Sequence, residues 1–281
     1  MAMIYSNKTE RVILHAPAKL NLFLEVGDHR PDGYHNIDTI MHSALLCDTV
    51  LLETADTTSL SCSIPELSGR ENLAYRAAAE FTAAAGLDCP VKITIQKNIP
   101  VAGGLAGGSA DAAAVLRGLD MIYPGAVEQS RLMIIAARLG ADVPFCLIGG
   151  TMRAEGIGEI LTPVSPLPEC SVLILYGIGT KTSTASAYAA LDATKRVHIE
   201  NNMPDALASG SIEVVCAALY NVFELLYPEI ETLKQQIIST GAIGALMSGS
   251  GPSLFGIYRH IDERDYAIRK LTELGYNVLP A

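Results

Sequence analysis

The chain has 281 residues, of which 49% are hydrophobic and 18% charged, with a formal net charge of −10. This negative charge argues against nucleic acid as a partner, because phosphate backbones require a basic protein surface. The apolar runs are too short to span a bilayer, so we expect no membrane partner. Six cysteines are scattered without CxxC or Cys/His spacing, and the first residues contain no apolar signal core, which favours a cytoplasmic location.

The length favours two domains over one, because single hydrophobic cores seldom grow beyond about 250 residues. Three prolines, at positions 163, 166 and 168, form the densest proline cluster of the chain. Such clusters interrupt regular structure and mark junctions. We therefore predict a first domain over 1–162 and a second over 163–281.

The first half of the chain begins with apolar segments. Residues 12–26 predict two strands interrupted at Pro17, and residues 37–52 predict a further strand. Helical spacing over 72–85 and 127–139 predicts two helices that end at glycines. Between them, strict alternation of apolar and polar residues over 91–96 predicts a strand.

The second half mixes both patterns. Because strands and helices do not alternate regularly there, an α+β fold is favoured over a doubly wound sheet. The predicted elements are a strand over 171–176, helices over 183–191, 212–226 and 229–240, strands over 242–247 and 254–258, a helix over 261–274 and a strand over 276–279.

A glycine-rich loop follows the strand at 91–96. Four glycines within six residues allow consecutive backbone N–H groups to close around an anion. Ser109 is a natural N-cap for a helix over 110–119, so the loop lies at a positive helix end. A Walker loop is excluded because Ser109 stands where lysine is required, and no GxGxxG run is present. The alternative is a glycine-rich turn that only packs closely against a sheet.

Two alanines limit the conformation of this loop. Ala102 and Ala106 have a Cβ atom that disfavours positive φ, so we expect both to have negative φ. The left-handed positions should then lie among the four glycines, at 103, 104, 107 and 108.

Three blocks of sequence resemble one family. They are APAKLNLFLEV at 16–26, PVAGGLAGGSADAA at 100–113 and MSGSGPSLFGIY at 247–258. The chain resembles the GHMP small-molecule kinases, which include galactokinase, homoserine kinase and mevalonate kinase. The resemblance implies a two-domain α+β architecture, with an N-terminal ribosomal-protein-S5-domain-2-like ATP-binding domain, a C-terminal ferredoxin-like domain and the active site in the cleft between them. It also implies ATP and Mg²⁺ as cofactors.

The resemblance assigns the catalytic roles. Asp142 would accept the proton of the acceptor hydroxyl, and Lys19 would be the cation that pairs with it and with the transferred phosphate. From the residues alone, Asp142 is also a plausible turn former, and Lys19 in an apolar strand is also a plausible outward-pointing lysine. The expected ATP-binding residues are Lys97, Pro100, Val101, Ala102, Gly103, Gly104, Leu105, Ala106, Gly107, Gly108 and Ser109.

Further motifs refine the acceptor. RPDGYH at 30–35, LGADVPF at 139–145 and GIGEILTPV at 156–164 resemble family members whose small-molecule substrate carries a cytidine diphosphate group. His35 would read the cytosine edge with Tyr34 beside it, and Tyr188 would stack on the base. Asn21 would bind acceptor hydroxyls. Gly249 and Ser250 would form a backbone nest for the diphosphate, unless their loop is only a tight hairpin.

Two other interpretations remain at this point. One is a different GHMP kinase, such as one for homoserine or mevalonate, which would leave RPDGYH without an evident purpose. The other is a nucleotide-binding module without catalysis, against which the presence of both Lys19 and Asp142 argues. Neither the Mg²⁺ ligands nor the oligomeric state follow from the sequence.

Overall fold

The computed structural model of the chain describes residues 9–178 and 183–281. The strands are β1 (Arg11–His29), β2 (His35–Thr54), β3 (Ser59–Cys62), β4 (Val91–Gln96), β5 (Thr151–Glu155), β6 (Ile160–Pro163), β7 (Ser171–Tyr176), β8 (Tyr220–Asn221), β9 (Gly244–Ser248), β10 (Ser253–Tyr258) and β11 (Asn277–Pro280). The helices are α1 (Leu73–Ala85), α2 (Gly107–Ile122), α3 (Gln129–Leu139), α4 (Val143–Ile148), α5 (Thr184–Asp192), α6 (Met203–Ala208), α7 (Ile212–Ala217), α8 (Glu229–Ser239) and α9 (Ile261–Glu273).

The chain divides into two compact units, each built from three segments. The first unit comprises the segment that ends at Pro17, Cys47–Asn98 and Gly107–Ile148. The second comprises Ala18–Leu46, Ile99–Ala106 and Gly149–Ala281. The predicted α+β class is confirmed, and the domain boundary at 162/163 stays a prediction. In the part of the chain that the structure describes, no helix has the length and apolar character needed to cross a membrane.

In the first unit, β4 pairs in parallel with β3 and antiparallel with the end of β2. Alternation in β4 buries Val91, Ile93 and Ile95, as its period of two predicts. Helices α1 and α2 pack against each other, and α2 also contacts α3 and α4. At Gly118 of α2 an added Cβ would lie 2.8 Å from the terminal methyl group of Leu14, so the helix packs closely on the side chains of β1.

In the second unit, β2 pairs antiparallel with β5, β5 with β6, and β1 in parallel with β8. A separate antiparallel sheet has the order β11-β7-β10-β9. Helices α8 and α9 contact this sheet. Its strands β7, β9 and β10 are almost wholly buried, and Phe255 and Tyr258 are among the largest enclosed side chains.

Most predicted elements form within a few residues of their predicted bounds. Helix α1 begins after Asn72, whose side chain accepts a hydrogen bond from Ala74 N–H, and ends at Gly86 with φ 63°. These are the N-cap and the left-handed C-terminal glycine that the sequence indicates. The strands and helices of the second sheet also follow the predicted order.

Two predictions about elements are wrong. β1 is one continuous strand through Pro17, because proline removes only a single N–H donor and does not by itself end a strand. The helix predicted over 212–226 ends at Ala217. After this helix end, the side chain of Asn221 donates hydrogen bonds to the carbonyls of Met247 (2.7 Å) and Gly249 (2.8 Å). These bonds hold the backbone of β8 in the extended form.

Candidate active site

The glycine-rich loop adopts left-handed backbone at unexpected positions. Ala102 (φ 64°) and Ala106 (φ 56°) have positive φ, and of the four predicted glycines only Gly104 (φ 76°) does. The prediction that both alanines have negative φ is therefore wrong. A left-handed alanine costs roughly 1–2 kcal/mol, because Cβ crowds the following carbonyl oxygen. The loop meets that cost through its surroundings in the second unit.

Those surroundings are a second glycine loop at 248–252. Ser248 is fully buried, and its hydroxyl donates to the carbonyl of Gly104 at 3.2 Å. An added Cβ on Gly104 would overlap the Ser248 carbonyl, and one on Gly249 would lie 3.0 Å from the Gly104 carbonyl. On the first loop, the Leu105 carbonyl accepts a hydrogen bond from Lys19 N–H at 2.9 Å. The glycines at 104 and 249 are thus required by close packing of backbone on backbone.

The second loop joins β9 to β10, which pair antiparallel from Ser248 and Ser253 onward. The hairpin alternative is therefore correct as a description of its backbone. Ser250, at its tip, is half-buried and its hydroxyl lies 3.4 Å from that of Thr184. Whether Gly249 and Ser250 also bind a diphosphate stays a prediction.

Helix α2 starts at Gly107 in the first unit. Ser109 lies inside its first turn, so the predicted N-cap is wrong. Glycine has no side chain that would oppose helical backbone there, and the buried alanines of the following turn pack against α1. The first four N–H groups of a helix have no partner within the helix and carry positive partial charge. A start at Gly107 makes the N–H groups of Gly107 and Gly108 part of this end, where they can bind an anion.

The remaining loop residues differ in exposure. Leu105 is buried and anchors the loop in the core of the second unit, whereas Val101 is 53% exposed. Pro100 is half-buried. Only backbone groups and small side chains are thus available to a bound phosphate from this loop.

Lys19 and Asn21 lie on one face of β1, opposite Thr39 of β2, and all three are buried. The Thr39 hydroxyl donates to the Phe23 carbonyl (2.6 Å), so it accepts the bond from Asn21 Nδ2 (2.8 Å). This directs Asn21 Oδ1 towards two donors, Lys19 Nζ (2.9 Å) and Gly249 N–H (2.9 Å). The hydrogen bonds therefore fix the orientation of the amide, which holds the ammonium of Lys19 beside the second loop.

Asp142 lies in the turn between α3 and α4, after Gly140 and Ala141. It is half-buried, and its carbonyl accepts the first helical bond of α4 from Cys146 N–H at 3.0 Å. The turn thus presents the carboxylate just before the buried start of α4. Asp142 belongs to the first unit and Lys19 to the second, and their predicted pairing stays a prediction.

Lys97 is buried in an ion-pair cluster within the first unit. Its ammonium contacts Asp48 and lies 2.8 Å from Asp111 Oδ2, and Asn98 N–H donates to Asp48 at 2.6 Å. Burial alone would lower the pKa of Lys97, but the carboxylates of Asp111 and Asp48 more than offset this and raise it. Burial raises the pKa of Asp111 to about 7 despite the nearby ammonium, with Asp48 adding to the shift. The contact of Lys97 with nucleotide phosphate stays a prediction, and such a contact requires the ammonium to leave these two carboxylates.

His35 is surrounded by rings and one carboxylate. It is 8% exposed, its ring stacks on Tyr188 with centroids 5.1 Å apart, and His29 packs edge-on at 4.9 Å. Its Nε2 lies 2.8 Å from Asp192 Oδ1. Tyr34, next in the chain, is 59% exposed. The structure thus brings His35 and Tyr188 together, and their binding of a base stays a prediction.

Sequence reasoning missed four polar residues of these networks, Thr39, Asp48, Asp111 and Asp192. Thr39, Asp48 and Asp111 are polar residues in strands or helices whose other buried positions are mostly apolar, and that contrast is the signal that was available. Asp192 stands four residues after Tyr188, the spacing that places two side chains on one helix face.

Comparison with known proteins gives a consistent result. A family model described as the GHMP kinases N terminal domain matches residues 72–150, and one described as GHMP kinases C terminal matches residues 203–277. The chain is 40% identical over 262 residues to a protein of Gloeobacter violaceus named 4-diphosphocytidyl-2-C-methyl-D-erythritol kinase, which covers 88% of this chain and 86% of the relative.

Solved structures agree. A crystal structure of 4-(cytidine 5'-diphospho)-2C-methyl-D-erythritol kinase is 34% identical, with a TM-score of 0.80 over 96% of this chain and 98% of the other. The mevalonate kinase of Methanococcus jannaschii has a TM-score of 0.73 over 97% and 98%, but only 14% identity, so this likeness concerns the fold alone.

Proposed function

Because the chain belongs to the GHMP kinase family, we propose that it transfers the γ-phosphoryl group of ATP to the 2-hydroxyl of 4-diphosphocytidyl-2-C-methyl-D-erythritol, a step in isoprenoid precursor synthesis. The products are ADP and the 2-phosphate. The enzyme is a kinase of the two-domain α+β architecture that the family shares.

One observation carries the choice of acceptor. Near full-length identity of about 40% recurs among relatives that bear this one kinase name, whereas the likeness to mevalonate kinase is confined to the fold. The grouping of His35, Tyr188 and the exposed Tyr34 supports it, because stacking surfaces and an imidazole are suited to a pyrimidine base.

Phosphoryl transfer depends on positioning and on charge stabilisation more than on covalent chemistry. We assign Asp142 as the base that accepts the proton of the acceptor hydroxyl. We assign Lys19, held by Asn21, as the cation for the transferred phosphoryl group. The loop at 100–106 and the N-terminus of α2 bind the ATP phosphates through backbone N–H groups. These assignments follow the family motifs, and the local geometry of each residue is compatible with them.

Mg²⁺ would arrive with ATP. Among the described residues, no group of three or more His, Cys, Asp or Glu side chains is suited to hold a metal ion. This fits Mg²⁺, which keeps several waters and binds through one or two carboxylates together with substrate phosphates. The Ser109 hydroxyl, in the first turn of α2, is the protein oxygen donor we assign to it, and Mg²⁺ would neutralise the phosphate charge.

We place the enzyme in the cytoplasm. All six cysteines are free thiols, which is the usual state in a reducing compartment. Its partner is the small cytidine diphosphate acceptor rather than nucleic acid, given the net charge of −10.

The test is ADP release from ATP with three acceptors in parallel: the cytidine diphosphate compound, homoserine and mevalonate. We expect saturable turnover with the first alone. Asp142→Asn should lower kcat by at least about a hundredfold, as expected for loss of a general base, while leaving the KM for ATP little changed. Saturation with homoserine or mevalonate, and none with the cytidine compound, would overturn the proposal.

A further inference from the structure

Helix α5 presents two side chains to His35. Tyr188 and Asp192 are four residues apart and therefore lie on one face of the helix. The Tyr188 ring covers a face of the imidazole at an interplanar angle of 29°, and the Asp192 carboxylate meets the ring at Nε2. Phe223 packs edge-on against Tyr188 with centroids 5.0 Å apart, so the stacked pair is supported from the core.

The bond to Asp192 determines where the imidazole carries its proton. An ionised carboxylate is only an acceptor, so the ring nitrogen 2.8 Å from it must be the donor. In a neutral imidazole with its proton on Nε2, the other nitrogen, Nδ1, is an acceptor. Nδ1 is therefore the ring nitrogen left for a bound base, and it offers a lone pair.

This lone pair distinguishes the two common pyrimidines. Cytosine presents an exocyclic amino group at C4, which is a donor, whereas uracil presents a carbonyl oxygen at the same place, which is an acceptor. A fixed acceptor at His35 Nδ1 can accept a hydrogen bond from the amino group of cytosine. It cannot form a hydrogen bond with the carbonyl oxygen of uracil, because both atoms are acceptors and repel each other. A site that is built for one hydrogen-bond pattern rejects a ligand that leaves its polar groups unpaired.

We propose that Asp192 is a positioning residue that makes the enzyme select cytosine over uracil in its acceptor, by fixing the Nε2–H tautomer of His35. The inference rests on the proposed function, because it names how the base of that acceptor is chosen. Asp192 acts through His35 and does not touch the substrate.

Other charged groups near Asp192 are differently engaged. A cavity of about 660 Å³ beside it is also lined by Asp28, His29, Lys195 and Arg196. Arg196 is bound to the buried carboxylate of Glu25 at 2.7 Å, so its guanidinium already has an anionic partner. Asp28 is exposed and lines the same cavity, whereas the hydrogen bond to the His35 ring comes from Asp192. Asp192 is therefore the carboxylate that controls the imidazole, and Asp28 is a matched control.

The experiment compares kcat/KM for the cytidine diphosphate acceptor with that for its uridine counterpart. In the wild type we expect a strong preference for cytidine. Asp192→Leu should lower the cytidine-to-uridine ratio on the order of tenfold, because either tautomer of His35 is then available. The ratio for Asp192→Asn should lie between those of the wild type and Asp192→Leu, since its amide oxygen still accepts a hydrogen bond. Asp28→Asn removes a charge from the same cavity and should leave the ratio within about twofold of wild type.

A second measurement is independent of activity. The ¹⁵N chemical shifts of the His35 ring, assigned by their loss in His35→Gln, report which nitrogen carries the proton. We expect the Nε2–H form in the wild type and a mixture in Asp192→Leu. The Nδ1–H form in the wild type, or an unchanged base ratio in a folded Asp192→Leu, would overturn the inference. Wild-type protein that phosphorylates neither nucleotide acceptor would overturn the proposed function instead, while the ring shifts still decide the tautomer.

Discussion

The left-handed alanines of the glycine-rich loop predict that glycine substitutions there increase stability. Ala102 is exposed and has φ 64°, so its methyl group contributes little burial while its backbone is strained. Removal of the left-handed strain of alanine stabilises the folded state by roughly 1–2 kcal/mol. Glycine also makes the unfolded chain more flexible, which destabilises the folded state by about 0.4–1 kcal/mol. Ala102→Gly should therefore raise the free energy of unfolding by about 0.5–1 kcal/mol.

Ala106→Gly should gain less. Its φ of 56° carries a similar strain, but its methyl group is half-buried, and a buried methylene contributes about 0.8 kcal/mol. The matched control is Ala110→Gly, only a few residues further on but inside α2 and fully buried. There the same substitution should destabilise by about 1 kcal/mol or more, because glycine is the poorer helix former.

Urea titrations of the three variants, with thermal midpoints as a second measure, test this prediction. The free energy of unfolding should be highest for Ala102→Gly, lower for Ala106→Gly and lowest for Ala110→Gly. The argument would be refuted if Ala102→Gly destabilised the protein as much as Ala110→Gly does. That result would mean that the contacts of the loop favour the alanine backbone enough to remove its strain.

Two further predictions concern the buried polar networks. The pKa of Asp111, raised to about 7 by burial, means that the folded state binds an extra proton between about pH 4 and 7, so its stability falls as pH rises through this range. Asp111→Asn mimics the protonated form at every pH. The free energy of unfolding of the variant minus that of the wild type, measured by denaturant titration, should therefore be roughly 1–3 kcal/mol larger at pH 8 than at pH 5. The same difference at both pH values would contradict the raised pKa. Thr39→Val removes the acceptor that orients the Asn21 amide, so kcat should fall about tenfold while the KM for ATP stays within about twofold of wild type. Thr39→Ser keeps the hydroxyl and should retain activity. An equal loss of activity in both variants would show that the hydroxyl is not the cause.

Local rules predicted the regular elements well because the signals were local. The cap at Asn72, the alternation of β4 and the glycine that ends α1 each act within a few residues. The errors have non-local causes. The left-handed backbone at 102 and 106 occurs in a loop whose Gly104 packs against Ser248 and Gly251, more than a hundred positions away. Residues 220–221 form a strand because Asn221 bonds to the loop at 247–249.

The candidate site shows the same division. Residue types that carry chemistry, such as Lys19 and His35, were found from motifs. Their partners were not, because no spacing in the sequence links Asn21 to Thr39 or His35 to Asp192. Lys97 illustrates the reverse case. Its predicted contact with the ligand stays a prediction, and no local signal indicated that two buried carboxylates, each distant in sequence, hold its ammonium.

The threading of the chain through its two units governs how the protein is made. Each unit gathers three separate segments, so neither can be completed from one uninterrupted stretch of nascent polypeptide. The first unit has all of its residues once Ile148 leaves the ribosome, whereas the sheet of the second still lacks β11, the strand that pairs with β7 at the far end of the chain. Folding during synthesis can therefore finish the first unit early, whereas the unit that contains Lys19 is incomplete until β11 has been translated.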